Sequence, residues 1–502
     1  MTTQHDAIAA LLCTLALVLV ALMPVAGSTR SATFPTASAG RRYRAAAVER
    51  APIVGHDGMD VAAAEKLMLA NLDEINVAVG MAAGRGADLV VLPEDNLYGA
   101  GYSAAGIAPF LAILPAARQL ADHVIVPCTN ATMWADAVAA ARASCIARDH
   151  GVVLVLDMAE QVACLPNERC PPIGYWAYNT QIALDADGRL LAKYHKLHLY
   201  YEAQFDVPTT WAPVWFTPAK LDVTFGMMVC FDLLFARPAN GDIAAGITDF
   251  VFSSFWVNEP PLLTLPAVLR GWSSAHNASI VAAGTGSSWY NSGSGLFSRG
   301  KTLASWYNPG WQGETQVLVH DVVTFGAVLP PLVAPPPSPF RFPACGKRSS
   351  PMVTTFNVTA SSSGTATAHA GGVTCTARYR VSETSTASEI YAVVALDGCF
   401  SPVLEARVCG LVRCLSAEAC LNTGLLAANT SFASLTMTAH LAAGLNDGDL
   451  VFGLASASNG VPLDSQLYSE HRSATMATMA STGTLDNVVS FSMFIRNEWM
   501  PN

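Results

Sequence analysis

Three side chains in this chain have types that could together run a covalent hydrolysis: a thiol, a carboxylate and an ammonium, each at the end of an apolar run. Cys230 closes the run formed by Phe225, Met227, Met228 and Val229, and Phe231, Asp232 and then Pro238 follow it. That pattern reads as a buried strand passing through a turn into a helix. Such a turn lifts one side chain above a sheet edge, with backbone N–H groups beside it. This suits a nucleophile whose attack creates an oxyanion. An isolated cysteine in apolar surroundings is also an ordinary core residue, so the other two groups decide how to read it. Glu94 follows the run DLVVLP directly, which brings its carboxylate out at the C-terminal edge of a sheet, where ligands collect. Asp95 points elsewhere and suits a cap on the next segment. Lys196 lies in the string YHKLH at 194–198. Two histidines three residues apart, without a third ligand, read as core or surface residues and not as a metal site. A thiol with an ordinary pKa near 8.5 is only a few per cent ionised at neutral pH, so a carboxylate is needed to take its proton. An ammonium beside the developing oxyanion supplies the electrostatic part, where losing one donor typically costs on the order of a hundredfold in rate.

These side chains need a scaffold of alternating strands and helices. Residues 45–54 read as a first strand, and Asp60 caps an Ala- and Leu-rich helix running to about residue 83. A buried strand at 88–93, a helix over 136–149 stopped by Gly151, and the strand VVLVLDMAE follow. Residues 178–192 alternate around Asp187-Gly188, a hairpin signal that delivers the chain to Lys196. Strands at 222–229 and 248–255, a helix over 262–278 and the strand SIVAAG complete the set. The order indicates an α/β protein with mixed sheets covered by helices. Residues 326–344 are proline-rich and mark a domain boundary. Residues 345–502 then shift to Ser, Thr, Ala and Val in short alternating runs, a smaller β-rich domain with no catalytic constellation of its own.

The 502 residues carry a net charge of −10 with 28 Lys and Arg, which leaves no footprint for a nucleic-acid backbone. Residues 7–23 are uncharged and mostly apolar, and small residues follow Pro24. Residues 1–27 therefore read as a secretory leader, with a retained anchor as the alternative, and residues 28–43 as a flexible N-terminus. The chain does not end in an apolar tail of the kind that directs a GPI anchor. Secretion gives the 12 cysteines a meaning. Without Cys13 of the leader and Cys230, four remain before residue 200 (Cys128, Cys145, Cys164, Cys170) and six after 340 (Cys345, Cys375, Cys399, Cys409, Cys414, Cys420). Each set is even, which predicts disulfides within two domains and one free thiol. Sequons at Asn130, Asn277, Asn357 and Asn429 fit the same compartment.

LPEDNLYG at 92–99, NTQIALDADGRLLAKYHKLHLYYEAQFDVP at 179–208 and FGMMVCFDLLFARP at 225–238 resemble the glutamate, lysine and nucleophile motifs of the nitrilase superfamily of carbon–nitrogen hydrolases, in its vanin and biotinidase branch. FSSFWVNEPPLL, SGSGLF and VCGLVRCLSAEAC are similar to that branch too. The resemblance implies a four-layer α-β-β-α sandwich over 44–325 with a vanin-type β-rich domain at 345–502. It also implies that Glu94 is general base and later acid, Cys230 the nucleophile, and Lys196 with the backbone N–H of Phe231 the oxyanion site. Glu202 would be an assisting carboxylate, with Trp256 and Asn258 nearby. No metal and no cofactor is implied. The partner is a small-molecule amide: pantetheine, giving pantothenate and cysteamine, or biocytin, giving biotin and lysine. A non-catalytic secreted binding glycoprotein on the same scaffold is the third reading, and the oligomer is a monomer or a homodimer.

Overall fold

Alternation along single strands explains why the first half of the chain forms layers. In β1 (Arg41–Glu49), Ala45 and Ala47 face one core while Ala46 and Val48 face another, as the two-residue period of a strand requires. The computed structural model describes residues 40–496 apart from 117–118, 121–122, 130–133, 166–168, 330–337, 340–344, 402–403, 422, 424–425 and 446–448. The leader, Cys13 and the sequon at Asn130 lie outside the described residues. After β1 come α1 (Val61–Gly84), β2 (Leu89–Val91), α2 (Val138–His150), β3 (Val153–Ala163), β4 (Tyr175–Leu184) and β5 (Leu190–His195). β6 (Thr210–Trp211), β7 (Trp215–Phe216), β8 (Phe225–Val229), β9 (Asp249–Ser254), α3 (Leu265–Ala275), β10 (Ser279–Gly284), β11 (Ser294–Ser298), β12 (Lys301–Trp306) and β13 (Gln316–Thr324) complete this half.

Two six-stranded sheets result, in the orders β13-β1-β2-β3-β4-β5 and β12-β11-β10-β9-β8-β7. β1, β2 and β3 are parallel, as are β8, β9 and β10, while the outer strands pair antiparallel. α1 and α2 cover the outer face of the first sheet. The inner faces of the two sheets share a second core, and α3 packs on the far side of the second sheet. The layers therefore run α-β-β-α. The side chain of Asp60 accepts from the Ala63 N–H and caps α1 as the sequence predicts. Gly151, with φ +65°, closes α2. β1 starts at Arg41, inside the stretch expected to be flexible, because its pairing with β13 extends to Arg41 opposite Thr324. α3 starts at Leu265, three residues later than predicted, with Pro266 in its first turn and Glu259 bridged to Leu263 before it.

The second half is a β-sandwich. β14 (Ser338–Pro339) pairs with β6, so the described part of the proline-rich stretch is docked on the first half. β15 (Met352–Val358), β16 (Ser363–Ala370), β17 (Val373–Val381), β18 (Glu389–Ser401), β19 (Leu404–Cys414), β20 (Ser431–Leu441), β21 (Leu450–Ala457), β22 (Tyr468–Ser473), β23 (Met476–Ser481), β24 (Leu485–Asp486) and β25 (Val488–Arg496) follow. They form one sheet in the order β15-β18-β19-β25-β21 and another in the order β16-β17-β20-β23-β22. Between them lies a core of their own. Val394, Val408, Phe452 and Phe494 on the outer face of the first of these sheets join the core of the α-β-β-α half. α3 is held against β21: the Arg270 guanidinium donates to the Gly453 carbonyl at 2.7 Å. A Cβ on Gly271 would meet that same oxygen at 2.4 Å, so only glycine permits this approach.

Disulfides Cys128–Cys145 and Cys164–Cys170 lie in the first half, and Cys345–Cys399, Cys375–Cys409 and Cys414–Cys420 in the second. Cys230 is the free thiol among the described residues. This is the even partition that the cysteine positions predict. No helix among the described residues is long and apolar enough to cross a membrane.

Candidate active site

Cys230 follows β8 and opens a 3-10 turn, Cys230–Leu234. Its φ of +46° lies in the left-handed region, which a non-glycine residue holds only when its surroundings enforce it. Asp232 supplies much of that enforcement. Its buried carboxylate accepts from the Val229 N–H at 3.1 Å, the Tyr194 hydroxyl at 2.8 Å and the His198 N–H at 3.0 Å, with His198 Nδ1 at 2.8 Å. The His198 ring stacks on Phe235 at 3.6 Å between centroids, and the Arg496 guanidinium donates to the Leu234 carbonyl. Burial pulls the His198 pKa down against the opposing pull of Asp232, so the ring stays neutral and donates through Nδ1. The turn thus presents the thiol with the Phe231 N–H in its first residues, where helix geometry leaves N–H groups without an internal partner.

Lys196 is buried between two carboxylates. Its Nζ lies 2.6 Å from Glu94 Oε1 and also contacts Glu202 Oε1. The Asn179 amide bridges the same pair, donating to Glu94 Oε1 and Glu202 Oε2 at 2.9 Å each. The Phe255 N–H donates to Glu94 Oε2 at 2.7 Å, and the Tyr200 N–H to Glu202 Oε1 at 2.9 Å. A carboxylate has about four lone-pair sites. Glu94 uses three of them in these bonds.

Burial works to lower the pKa of Lys196, but Glu202 and Glu94 outweigh it and hold the ammonium firmly charged. Glu202 is pushed up by burial, with Lys196 opposing. Burial and then the Glu94 carboxylate push the Cys230 thiol well up, against the pull of Lys196. Cys230 therefore rests as a thiol, and any attack by its sulfur requires that proton to leave. Inactivation by iodoacetamide should accordingly quicken as pH rises through and beyond neutrality, with a single label on Cys230 in native protein. A rate that levels off below pH 7, measured as loss of activity with peptide mapping, would show a preformed thiolate instead.

The structure brings Glu94, Lys196 and Glu202 into direct contact, with Cys230 electrostatically coupled to all three. Phe231 and Trp256 line an apolar cleft at Cys230 with Tyr200, Leu263 and Phe400. Asn258 is not turned toward that cleft. Its side chain donates to the Trp289 and Ser292 carbonyls and accepts from the Leu265 N–H, all at 2.8 Å, so it pins loops around the start of α3. Asp95 is no helix cap either. Its φ of +54° turns the chain at once, and its carbonyl accepts from Tyr98 and Gly99. Its carboxyl is buried behind Glu94, where burial and then that neighbouring charge push its pKa well up. His195 and His198 serve separate buried carboxylates, Glu160 and Asp232.

Sequence reasoning passed over Asn179 and Asp232. Asn179 stands on β4 beside Glu94 and Lys196, and its only signal was a polar residue on an inward position of an alternating strand. Asp232 read as a turn former, because only folding brings β5 and the YHKLH string over it.

Residues 47–260 match the family model described as carbon-nitrogen hydrolase, and residues 343–501 the one described as vanin C-terminal domain. The chain is 35% identical over 217 residues to a biotinidase of Takifugu rubripes, covering 42% of this chain and 42% of that protein. It is 32% identical over 236 residues to the human pantetheine hydrolase VNN2, covering 46% and 44%. These alignments span less than half the length of either relative. A solved amidase from Nesterenkonia superposes with a TM-score of 0.39 at 20% identity, covering 57% of this chain and 91% of that one.

Proposed function

We propose that this chain, which belongs to the carbon–nitrogen hydrolases in their vanin and biotinidase branch, is a cysteine-dependent hydrolase of a secondary amide in a vitamin conjugate. The observation that carries the reading is the buried Lys196 clamped between Glu94 and Glu202 beside the thiol of Cys230. In the proposed cycle Cys230 Sγ attacks the amide carbonyl while Glu94 Oε2 takes the thiol proton. Lys196 and the Phe231 N–H hold the oxyanion. The C–N bond breaks as Glu94 returns the proton to the leaving amine, and a thioester remains. Water then attacks the thioester with Glu94 as base, releasing the acid and restoring the thiol. Glu202 and Asn179 position Lys196 and Glu94 in this scheme, and no metal or cofactor takes part.

Pantetheine is the first substrate, and biocytin stands beside it because relatives of both names align with similar identity. Secretion belongs to the same proposal, supported by five disulfides and by exposed sequons at Asn277, Asn357 and Asn429. Purified protein incubated with pantetheine should release cysteamine, and with biocytin lysine, with no ammonia from either. The larger kcat/KM identifies the substrate. If neither amide is cleaved while iodoacetamide still labels Cys230, the substrate claim fails and the binding-glycoprotein reading gains ground.

A further inference from the structure

The cleft at Cys230 does not end at the α-β-β-α half. Glu259 and Phe400, which line it, also line a second cavity of about 240 Å³ walled by both halves of the chain. The floor of this chamber is apolar, with Leu262 from before α3 and Val394, Leu396 and Val408 from β18 and β19. Its charged groups are the ion-paired Arg348 and Glu259, with Ser349 and Ser350 beside them in the wall. Arg348 comes from the second half and lies 5.3 Å above the Phe400 ring. The Cys345–Cys399 disulfide fixes both, since Arg348 follows Cys345 by three residues and Phe400 follows Cys399 directly. The Ser349 N–H donates to the Cys399 carbonyl at 2.7 Å, and the Cys399 N–H to Ser349 Oγ at 3.1 Å.

We infer that this chamber is the acyl-group specificity site of the hydrolase, built jointly by the two halves. It would take the far end of an elongated acyl chain that ends in a neutral head group carrying both hydrogen-bond donors and acceptors. The inference rests on the amide-hydrolase reading and adds the chemistry of the substrate's distal end. An apolar cleft lined by Phe231, Trp256, Leu263 and Phe400 suits a methylene linker and offers it few polar partners. Beyond it, a guanidinium and a carboxylate side by side present donors and acceptors with no net charge. A neutral head can bond to both without breaking the pair. An anionic head would meet Glu259 and a cationic one Arg348, each leaving a charge badly paired. Phe400 and Arg348 are specificity determinants on this account, and they come from the half that carries no catalytic group.

The test uses the full-length protein and four N-acyl cysteamines: acetyl, hexanoyl, pantothenoyl and biotinyl. Wild type should prefer the better of the two headed amides over hexanoyl, a chain without a head, with the difference mainly in KM. Arg348→Gln and Phe400→Leu should each reduce that preference about tenfold, as losing a designed polar or packing contact does. Melting curves check folding. Should Phe400→Leu fail to fold, Arg348→Gln decides alone, because the Arg348 side chain is 54% exposed. Hexanoyl turned over as well as the headed amides, or a preference that survives Arg348→Gln, overturns the chamber while leaving the hydrolase reading intact. Failure of wild type to cleave any of the four overturns both.

Discussion

Replacing Cys230 with alanine should lower amide kcat/KM by on the order of 10⁴ or more while leaving the melting temperature close to that of wild type. The size of the loss follows from the covalent step proposed above. Without Sγ no thioester forms, and the oxyanion donors have only an unactivated water to assist. Glu94→Gln should cost a comparable factor, because burial alone still holds the thiol protonated and it then has no acceptor for its proton. The double variant should be scarcely worse than either single one, since groups acting as a unit are strongly non-additive. Steady-state kinetics on the three proteins checks this. Losses that multiplied would mean the two side chains act in separate steps.

Lys196→Met should cost both activity and stability. The substitution removes the cation between two carboxylates, one fully buried and the other nearly so, and breaking a buried pair from one side typically costs about 3–5 kcal/mol. The pH dependence should carry a signature. Burial already raises the Glu202 pKa, and Lys196 is the main force opposing that rise. Without the lysine the folded-state pKa of Glu202 moves further above its unfolded value. A group raised in the folded state favours folding below its unfolded pKa and loses that contribution as pH rises through the folded pKa. The gap in melting temperature between variant and wild type should therefore be small in mild acid and widen toward neutral pH. Thermal melts across that window check it, and a gap independent of pH would mean the lost stability is packing and not charge.

Much of this was legible in the residues. Asp60 and Gly151 marked helix ends, Asp187-Gly188 marked the hairpin, and apolar runs ending at Glu94 and Cys230 marked strands, because local sterics and the two-residue period act within a few positions. The cysteine partition was legible as arithmetic. Asn179 and Asp232 were not, since each acts on groups from other elements: Asn179 on Glu94, 85 residues earlier in the chain, and Asp232 on His198, 34 residues earlier. The chamber at Arg348 was equally hidden. The second half showed no chemistry of its own, and its residues gain meaning only where they face Glu259.

Arg496 has a consequence for the order of events during synthesis. It reaches back across 262 residues to the carbonyl of Leu234 and lies 3.8 Å above the Phe235 ring, at the turn that sets the Cys230 backbone. Contacts of such long range form late, after the intervening strands have paired. While the ribosome is still making β25, the Cys230 turn lacks one of its staples. The turn then gains its last contact once the second half has been made and folded onto the first. Under the secretion proposed above, where ten other cysteines are joined in pairs, this delay would leave Cys230 exposed to mispairing during assembly. The short loops closed by Cys128–Cys145 and Cys164–Cys170, 17 and 6 residues apart, need no residue of the second half.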